Sequence, residues 1–381
     1  MILLEIFLAN LFLSFHYYLI IYINSSFLAH YFSDSAISAL YIIGSVLSLA
    51  LFLPSSLIIK RVGLFKFLLV STVIEGLAII SFIFTKNPWI ILSAFIIHQA
   101  VIALVSFGLD LFFEGRVKGE GRTGRLRTLY LTVGNTVVVL CPLIIAFVVT
   151  DGDYRPVYIL ASLFIIPLLL VLLGGFRHFK TAVPMHTQVL HSIKELWKKK
   201  NIRYVTGASL VLQTFYTWMI IYTPIYLNQH LGFSWESIGI MFTIMLLPFI
   251  LFEIPVGRIA DSWLGEQEMM TFGFAVMILA LFLFPLTIVP TFFIWTTILF
   301  ISRIGASFVE ATTESYFFKQ VNETDADFIS IFRATRAMGY IVAPVIAGIS
   351  LVFIPFRYIF VVFGIFCAAG IYFARKLVDT K

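Results

Sequence analysis

Runs of about twenty apolar residues follow one another along this chain from end to end, most of them separated by short connections. That recurrence limits the fold more than any other feature. An α-helix rises about 1.5 Å per residue, so about 20 apolar residues cross the ~30 Å hydrocarbon core of a bilayer. Within a bilayer every backbone N–H and C=O must be satisfied inside the segment, which makes such runs transmembrane helices. Composition agrees, since 60% of the 381 residues are hydrophobic and 12% are charged, against about 25% charged in a soluble domain. The expected fold is an all-α polytopic membrane protein.

Twelve spans are expected. The first six lie at about 3–23, 37–59, 66–84, 89–112, 129–149 and 157–175, and the second six at about 203–226, 236–257, 270–288, 292–318, 328–350 and 357–375. The domains follow as an N-terminal six-helix bundle over 1–175, a cytoplasmic linker over 176–202 and a C-terminal six-helix bundle over 203–381. No basic residue precedes the first apolar run, so that run reads as span one rather than a cleaved leader. Of the 26 Lys and Arg residues, 22 fall on the even-numbered connections and the C-terminal tail, three (Lys86, Arg155, Arg357) fall on odd-numbered connections, and Arg303 lies inside a span. The positive-inside rule then puts both termini in the cytoplasm, at the plasma (inner) membrane. The net charge of +6 is explained by this bias and calls for no nucleic acid. In the linker, Thr187 to Asn201 reads as a basic amphipathic helix, with Leu190, Ile193 and Trp197 on its apolar face. Cys141 and Cys367 sit in apolar runs of opposite halves. They give neither a disulfide framework nor a metal spacing.

The stretch Ile294–Gln320 is apolar enough to span yet carries Arg303, Glu310 and Glu314. With Ser307, these positions recur at helical spacing on one stripe. Ionisable groups at membrane depth are costly and normally face a protein interior or a watery path. The stripe also has a counterpart. Asp110–Val117 aligns with Glu314–Val321 at an offset of 204, which pairs Arg303 with Gln99, Glu310 with Ser106 and Glu314 with Asp110. Nearly the same offset relates Gly63 to Gly265 and Gly134 to Gly339. Two homologous, pseudo-symmetric halves are therefore expected.

Between spans eight and nine, Gly257, Asp261 and Gly265 stand in a loop that resembles the Gly-x-x-x-Asp-x-x-Gly signature of the major facilitator superfamily. Gly265 comes one residue late, Glu266 and Gln267 replace the usual basic pair, and the matching first-half loop is degenerate, with Ser56 and Lys60 at the Gly and Asp positions. With twelve spans and a half-repeat, the resemblance covers the whole chain. No subfamily signature of drug antiporters, sugar porters or peptide transporters is present.

The resemblance implies alternating access between two six-helix bundles, with spans one, four, seven and ten lining a central cavity. It also assigns the Gly257–Asp261–Gly265 loop to a conformational latch, with Glu253, Asp110 and Glu314 as latch or gate partners. On that basis the substrate or proton-coupling candidates are Asn10 and Tyr17 in span one, His98 and Gln99 in span four, Gln213, Tyr216 and Thr217 in span seven, and Arg303 and Glu310 in span ten. His16 falls off the face that Asn10 and Tyr17 share. Glu310 is expected to take up and release a proton while Arg303 meets an anionic group or balances Glu310. The competing reading is a static network through Arg333 or Arg336. Glu75, mid-span in helix three, reads as a structural partner inside its bundle. His98 reads either as a buried hydrogen-bonded side chain or as a second titrating group.

The resulting expectation is a secondary active transporter of a small solute, proton-coupled, with efflux of an amphipathic or anionic compound favoured. It would be a monomer in the lipid bilayer that needs no cofactor or metal beyond a proton gradient. The alternatives are a polytopic membrane enzyme on lipid-linked substrates and a non-transporting receptor. Scattered histidines and short outer loops weigh against the enzyme, and the intramembrane charges weigh against the receptor.

Overall fold

The structure is a computed structural model of the chain. It describes all residues except 1, 53, 118–122, 151, 178–197, 260–264, 288, 322–325 and 379–381. Among the described residues every regular element is a helix, and twelve helices are long and apolar enough to cross a membrane. Spans one to six are Leu3–Ile21, Asp34–Phe52, Leu64–Phe84, Pro88–Gly115, Leu129–Val148 and Arg155–Phe176. Spans seven to twelve are Lys200–His230, Trp235–Phe252, Glu266–Leu286, Phe292–Gln320, Ile331–Phe353 and Phe356–Arg375. The chain separates into two compact units, Met1–Met185 and His186–Lys381, each holding six spans.

Three boundaries differ from the sequence reading for local reasons. The second span was expected to run to 59, but its helix stops at Phe52, and Ser55–Val62 forms a separate short helix after Pro54. Proline has no N–H to continue the ladder and clashes with the preceding turn, which accounts for the break. Span one ends at Ile21 and is followed by the five-residue helix Asn24–Leu28. Span seven continues past Ile225 through a wider π-type turn, Tyr226–His230, so it is longer than expected. The expected amphipathic linker helix lies outside the described residues up to residue 197.

Inside the first unit, span four packs on spans two and three, span one on five and six, and span three on six, with a lighter contact between one and four. Inside the second, span ten packs on eight and nine, span seven on eleven and twelve, and span nine on twelve, with a lighter contact between seven and ten. Adding six to each number of the first set gives the second. Two pairs of glycines carry the same duplication down to single positions. Gly63 and Gly265 precede spans three and nine at φ 86° and 83°, a region that only glycine enters freely. Gly134 lies against Ser14 of span one, and Gly339 lies against the backbone of Gln213 in span seven.

The first bundle packs an apolar core that includes Ile6, Phe67, Val105, Phe112 and Phe176. The outward faces are also apolar, with Phe84, Phe293 and Phe353 more than three-quarters exposed. A soluble protein would not leave such area in water, whereas hydrocarbon accepts it. Cys141 and Cys367 are fully buried and unpaired as thiols.

Candidate functional site

In the second bundle, spans seven and ten bring together the charged stripe and the aromatic residues of the sequence reading. Arg303 is buried at 2% exposure. Its guanidinium carbon lies 5.2 Å from the Phe215 ring centre and 5.7 Å from that of Tyr216. A cation within about 6 Å of an aromatic face is attracted by the ring quadrupole, more so when desolvated. The Tyr216 hydroxyl donates to Glu310 Oε2 at 2.8 Å. One side chain of span seven thus contacts both charged residues of span ten, which stand about two turns apart along the helix. Both Tyr216 and Glu310 are half-buried, unlike Arg303. The cluster offers a cation, a carboxylate, a phenol and two ring faces, a set suited to a ligand with apolar surface and a polar or charged end.

Other candidates fall elsewhere. Glu314 pairs with Arg333 of span eleven at 3.1 Å, with a second contact at 3.4 Å, in a half-exposed position. It is tied between spans ten and eleven, apart from the Tyr216 contact. Thr217 turns its hydroxyl back to the Gln213 carbonyl at 3.1 Å and is buried, so it bonds its own helix rather than reaching outward. Trp218 stacks on Phe363 with centroids 4.3 Å apart, as part of the bundle core. Gln213 is half-buried beside the close approach of Gly339.

In the first bundle the residues paired with that stripe on span four are spread apart. Gln99 donates to Ser45 of span two at 3.4 Å and packs against Gly44, where a Cβ would come within 2.7 Å of it. Ser106 is exposed and Asp110 half-buried. Asn10 is buried and donates to the Tyr130 carbonyl of span five at 2.8 Å. Tyr17 is half-buried with its ring 5.1 Å from that of Tyr18.

His98 is instead drawn into a sealed cluster. Its Nδ1 lies 2.6 Å from Glu75 Oε1, and His16 Nε2 lies 3.0 Å from the same oxygen. The sequence reading named all three residues without joining them. Each sits within a different span, so spacing along any one helix could not join them.

At the loop between spans eight and nine, Asp261 lies outside the described residues, while Glu253 and Gly257 sit on helical backbone that ends at Ile259. Gly265 caps span nine with its positive φ. The next residue, Glu266, is nearly fully buried and forms an ion pair with Lys319 of span ten, and Ser315 donates to it at 3.3 Å. The sequence reading treated Glu266 as a lost basic residue of the signature. It is a buried anchor between spans nine and ten.

Among the described residues no three His, Cys, Asp or Glu side chains converge to hold a metal ion.

Comparison with known proteins bears on this arrangement. The family profile described as Major Facilitator Superfamily matches residues 6–326 and 223–381. A solved structure of a single-residue variant of the nucleoside transporter NupG superposes with a TM-score of 0.81 at 13% identity, covering 99% of this chain and 100% of that one. The NupG structure without that substitution gives 0.79 at 14% identity, covering 98% of each chain. The POT family transporter PepTSo gives 0.78 at 10% identity, covering 98% of this chain and 97% of that one. No curated protein sequence matches the chain. At these identities the structural likeness carries the fold alone.

Proposed function

The chain belongs to the major facilitator superfamily and is a multi-pass membrane transporter rather than an enzyme; from that premise we propose that it moves a small amphipathic or anionic solute by proton-coupled alternating access. The observation that carries this reading is the cluster on spans seven and ten, in which buried Arg303 lies beside the rings of Phe215 and Tyr216, and Tyr216 bonds Glu310. Arg303 supplies the anion-attracting charge, and the two rings supply apolar contact. Glu310 is the proton carrier. When it is ionised it accepts from Tyr216 and balances Arg303. When it is protonated it leaves Arg303 to the solute.

Coupling then follows from charge balance, because solute and carboxylate compete for one cation. Because the proton and an anionic solute load together in this scheme, it is symport, and an inward proton gradient draws the solute inward rather than driving the efflux expected from the sequence. The lysine and arginine bias supports placing both termini in the cytoplasm, and the protein is read as a monomer of the plasma (inner) membrane.

Purified protein in liposomes tests this directly. A panel of organic anions, cationic amphiphiles and nucleosides is offered with and without a pH gradient. Nucleosides form one arm because two of the similar structures are of a nucleoside transporter. One class is expected to move against its gradient when protons move with theirs, and Arg303→Ala is expected to abolish that movement. Glu310→Gln is expected to leave exchange of the solute intact while removing its dependence on the pH gradient. Unchanged gradient-driven transport by Glu310→Gln would refute the proton assignment. A protein that carries nothing under any condition would return the receptor reading.

A further inference from the structure

The charged residues used above all lie in the second bundle, yet the first bundle holds a more deeply buried ionisable cluster that the transport reading does not employ. Glu75 of span three and His16 of span one are 0% exposed, and His98 of span four is 1% exposed. Glu75 Oε1 receives both imidazoles, His98 Nδ1 at 2.6 Å and His16 Nε2 at 3.0 Å. His16 Nδ1 lies 3.0 Å from the Ala161 carbonyl of span six, and His98 Nε2 lies 3.2 Å from Asn24 Nδ2. Asn24 Oδ1 in turn accepts from the Tyr158 hydroxyl at 3.0 Å. Among the described residues, Glu75 Oε2 is buried with no hydrogen-bond partner.

Counting donors fixes the protonation state this geometry requires. A carbonyl only accepts, so His16 Nδ1 must carry a hydrogen toward Ala161. The Asn24 amide donates to His98 Nε2, so His98 carries its hydrogen on Nδ1 and gives it to Glu75. One further hydrogen must then lie between His16 Nε2 and Glu75 Oε1, since two lone pairs do not face each other at 3.0 Å. The three side chains together hold one proton more than two neutral imidazoles and a carboxylate, for a net charge of zero. Removing it would leave a buried carboxylate with a repelling lone pair on span one.

We propose that the His16–Glu75–His98 cluster is a proton-binding site that ties span one to spans three and four when loaded and releases span one when the proton leaves. The site takes a proton because nothing larger fits where all three side chains are sealed, and its three ligating atoms already meet one another. The groups acting electrostatically on Glu75 are His98 and His16. Span six adds the Tyr158 phenol, itself surrounded by Tyr41, Tyr154 and Tyr31. The hydrogen-bonded path from His98 through Asn24 reaches the short helix that joins spans one and two, which is the route by which opening exposes the site. This proton is distinct from the one assigned to Glu310.

Thermal unfolding of the purified protein in detergent, followed from pH 5.5 to 9 without any solute, tests the site apart from transport. The wild type is expected to lose about 5 °C or more of melting temperature as the pH rises and the buried proton is withdrawn. Glu75→Gln removes the carboxylate that holds the shared proton, and because one atom meets both imidazoles a single amide group cannot satisfy both, so its melting temperature is expected to start lower and stay level as the pH rises. If Glu75→Gln does not fold, the neutral pair His16→Gln with Glu75→Gln carries the same expectation. Infrared difference spectra between the two pH limits, taken in a Glu310→Gln background, should show a shift of the imidazole and carboxylate bands as the shared proton leaves, absent once Glu75 is replaced. Parallel slopes in wild type and Glu75→Gln, or an infrared signal that survives the replacement, overturn the proposal. Failure of solute transport would leave these readouts untouched.

Discussion

Gly305 lies between Arg303 and Glu310, and its replacement by alanine asks how tightly span ten must be held for the stripe to work. A Cβ added there would meet the Gly273 carbonyl oxygen of span nine at 2.6 Å and the Met277 backbone nitrogen at 2.9 Å. The contact is reciprocal, since a Cβ on Gly273 would meet the Gly305 oxygen at 2.7 Å. These are backbone atoms on both sides, so no side chain can swing away. To reach an ordinary contact of 3.4 Å, the two helices must part by about 0.8 Å along a crossing that small residues allow to be close. Overpacking of this kind costs about 1–3 kcal/mol, which corresponds to a fall of about 3–10 °C in melting temperature for a unit of this size. The displacement also shifts Arg303 and Glu310 relative to Tyr216, and a misplacement near 1 Å can cost about 100-fold in a rate.

Gly108→Ala in span four is the graded comparison. Its Cβ would meet only the Leu68 side chain, at 3.2 Å, and a leucine methyl can give way. Melting temperature in detergent and initial transport rate in liposomes are the two measurements. If Gly305→Ala melts and transports like Gly108→Ala, the idea that this backbone contact positions the stripe is wrong.

The other predictions are briefer. Lys319→Ala strips the cation from buried Glu266 and is expected to destabilise the second bundle by about 1–3 kcal/mol, with Glu266→Gln in the same background recovering part of the loss in a thermal unfolding assay. Arg333→Ala breaks a half-exposed pair with Glu314 and is expected to cost under about 1 kcal/mol, seen as little change in melting temperature. Gly63→Ala and Gly265→Ala each force a side chain into a region near φ 85° that only glycine enters freely. Each is expected to cost about 1–3 kcal/mol, and unequal costs would argue that the two positions are not equivalent.

The membrane-spanning fold was legible because hydrocarbon imposes one rule on every segment, and that rule leaves long apolar runs that can be counted. Breaks within runs were harder to read. Pro54 ended a span that hydropathy continued, because hydropathy averages over a single residue that cannot donate. Within the candidate site, helical spacing was enough to set Arg303 and Glu310 on one stripe, but spacing is silent on partners from other helices. The Tyr216 bond to Glu310 joins residues 94 positions apart, and the His16 contact to Glu75 joins residues 59 apart. The partners of Glu266 were hidden for the same reason, since a family signature describes a loop and not the helix behind it. Gln99 shows the limit of the repeat. Its position in span four matches Arg303 in span ten, yet Gly44 draws it against span two.

Cys141 and Cys367 are both fully buried, and neither belongs to the cluster argued for its bundle. Thiol reagents that need a solvent-reachable thiolate should therefore pass them by. The unaltered protein thus serves as its own background for site-directed labelling. Single cysteines placed at exposed helix ends of each bundle could carry spin labels or fluorophores without first removing the native pair, so that bundle motion could be followed in a chain whose interior packing is left intact.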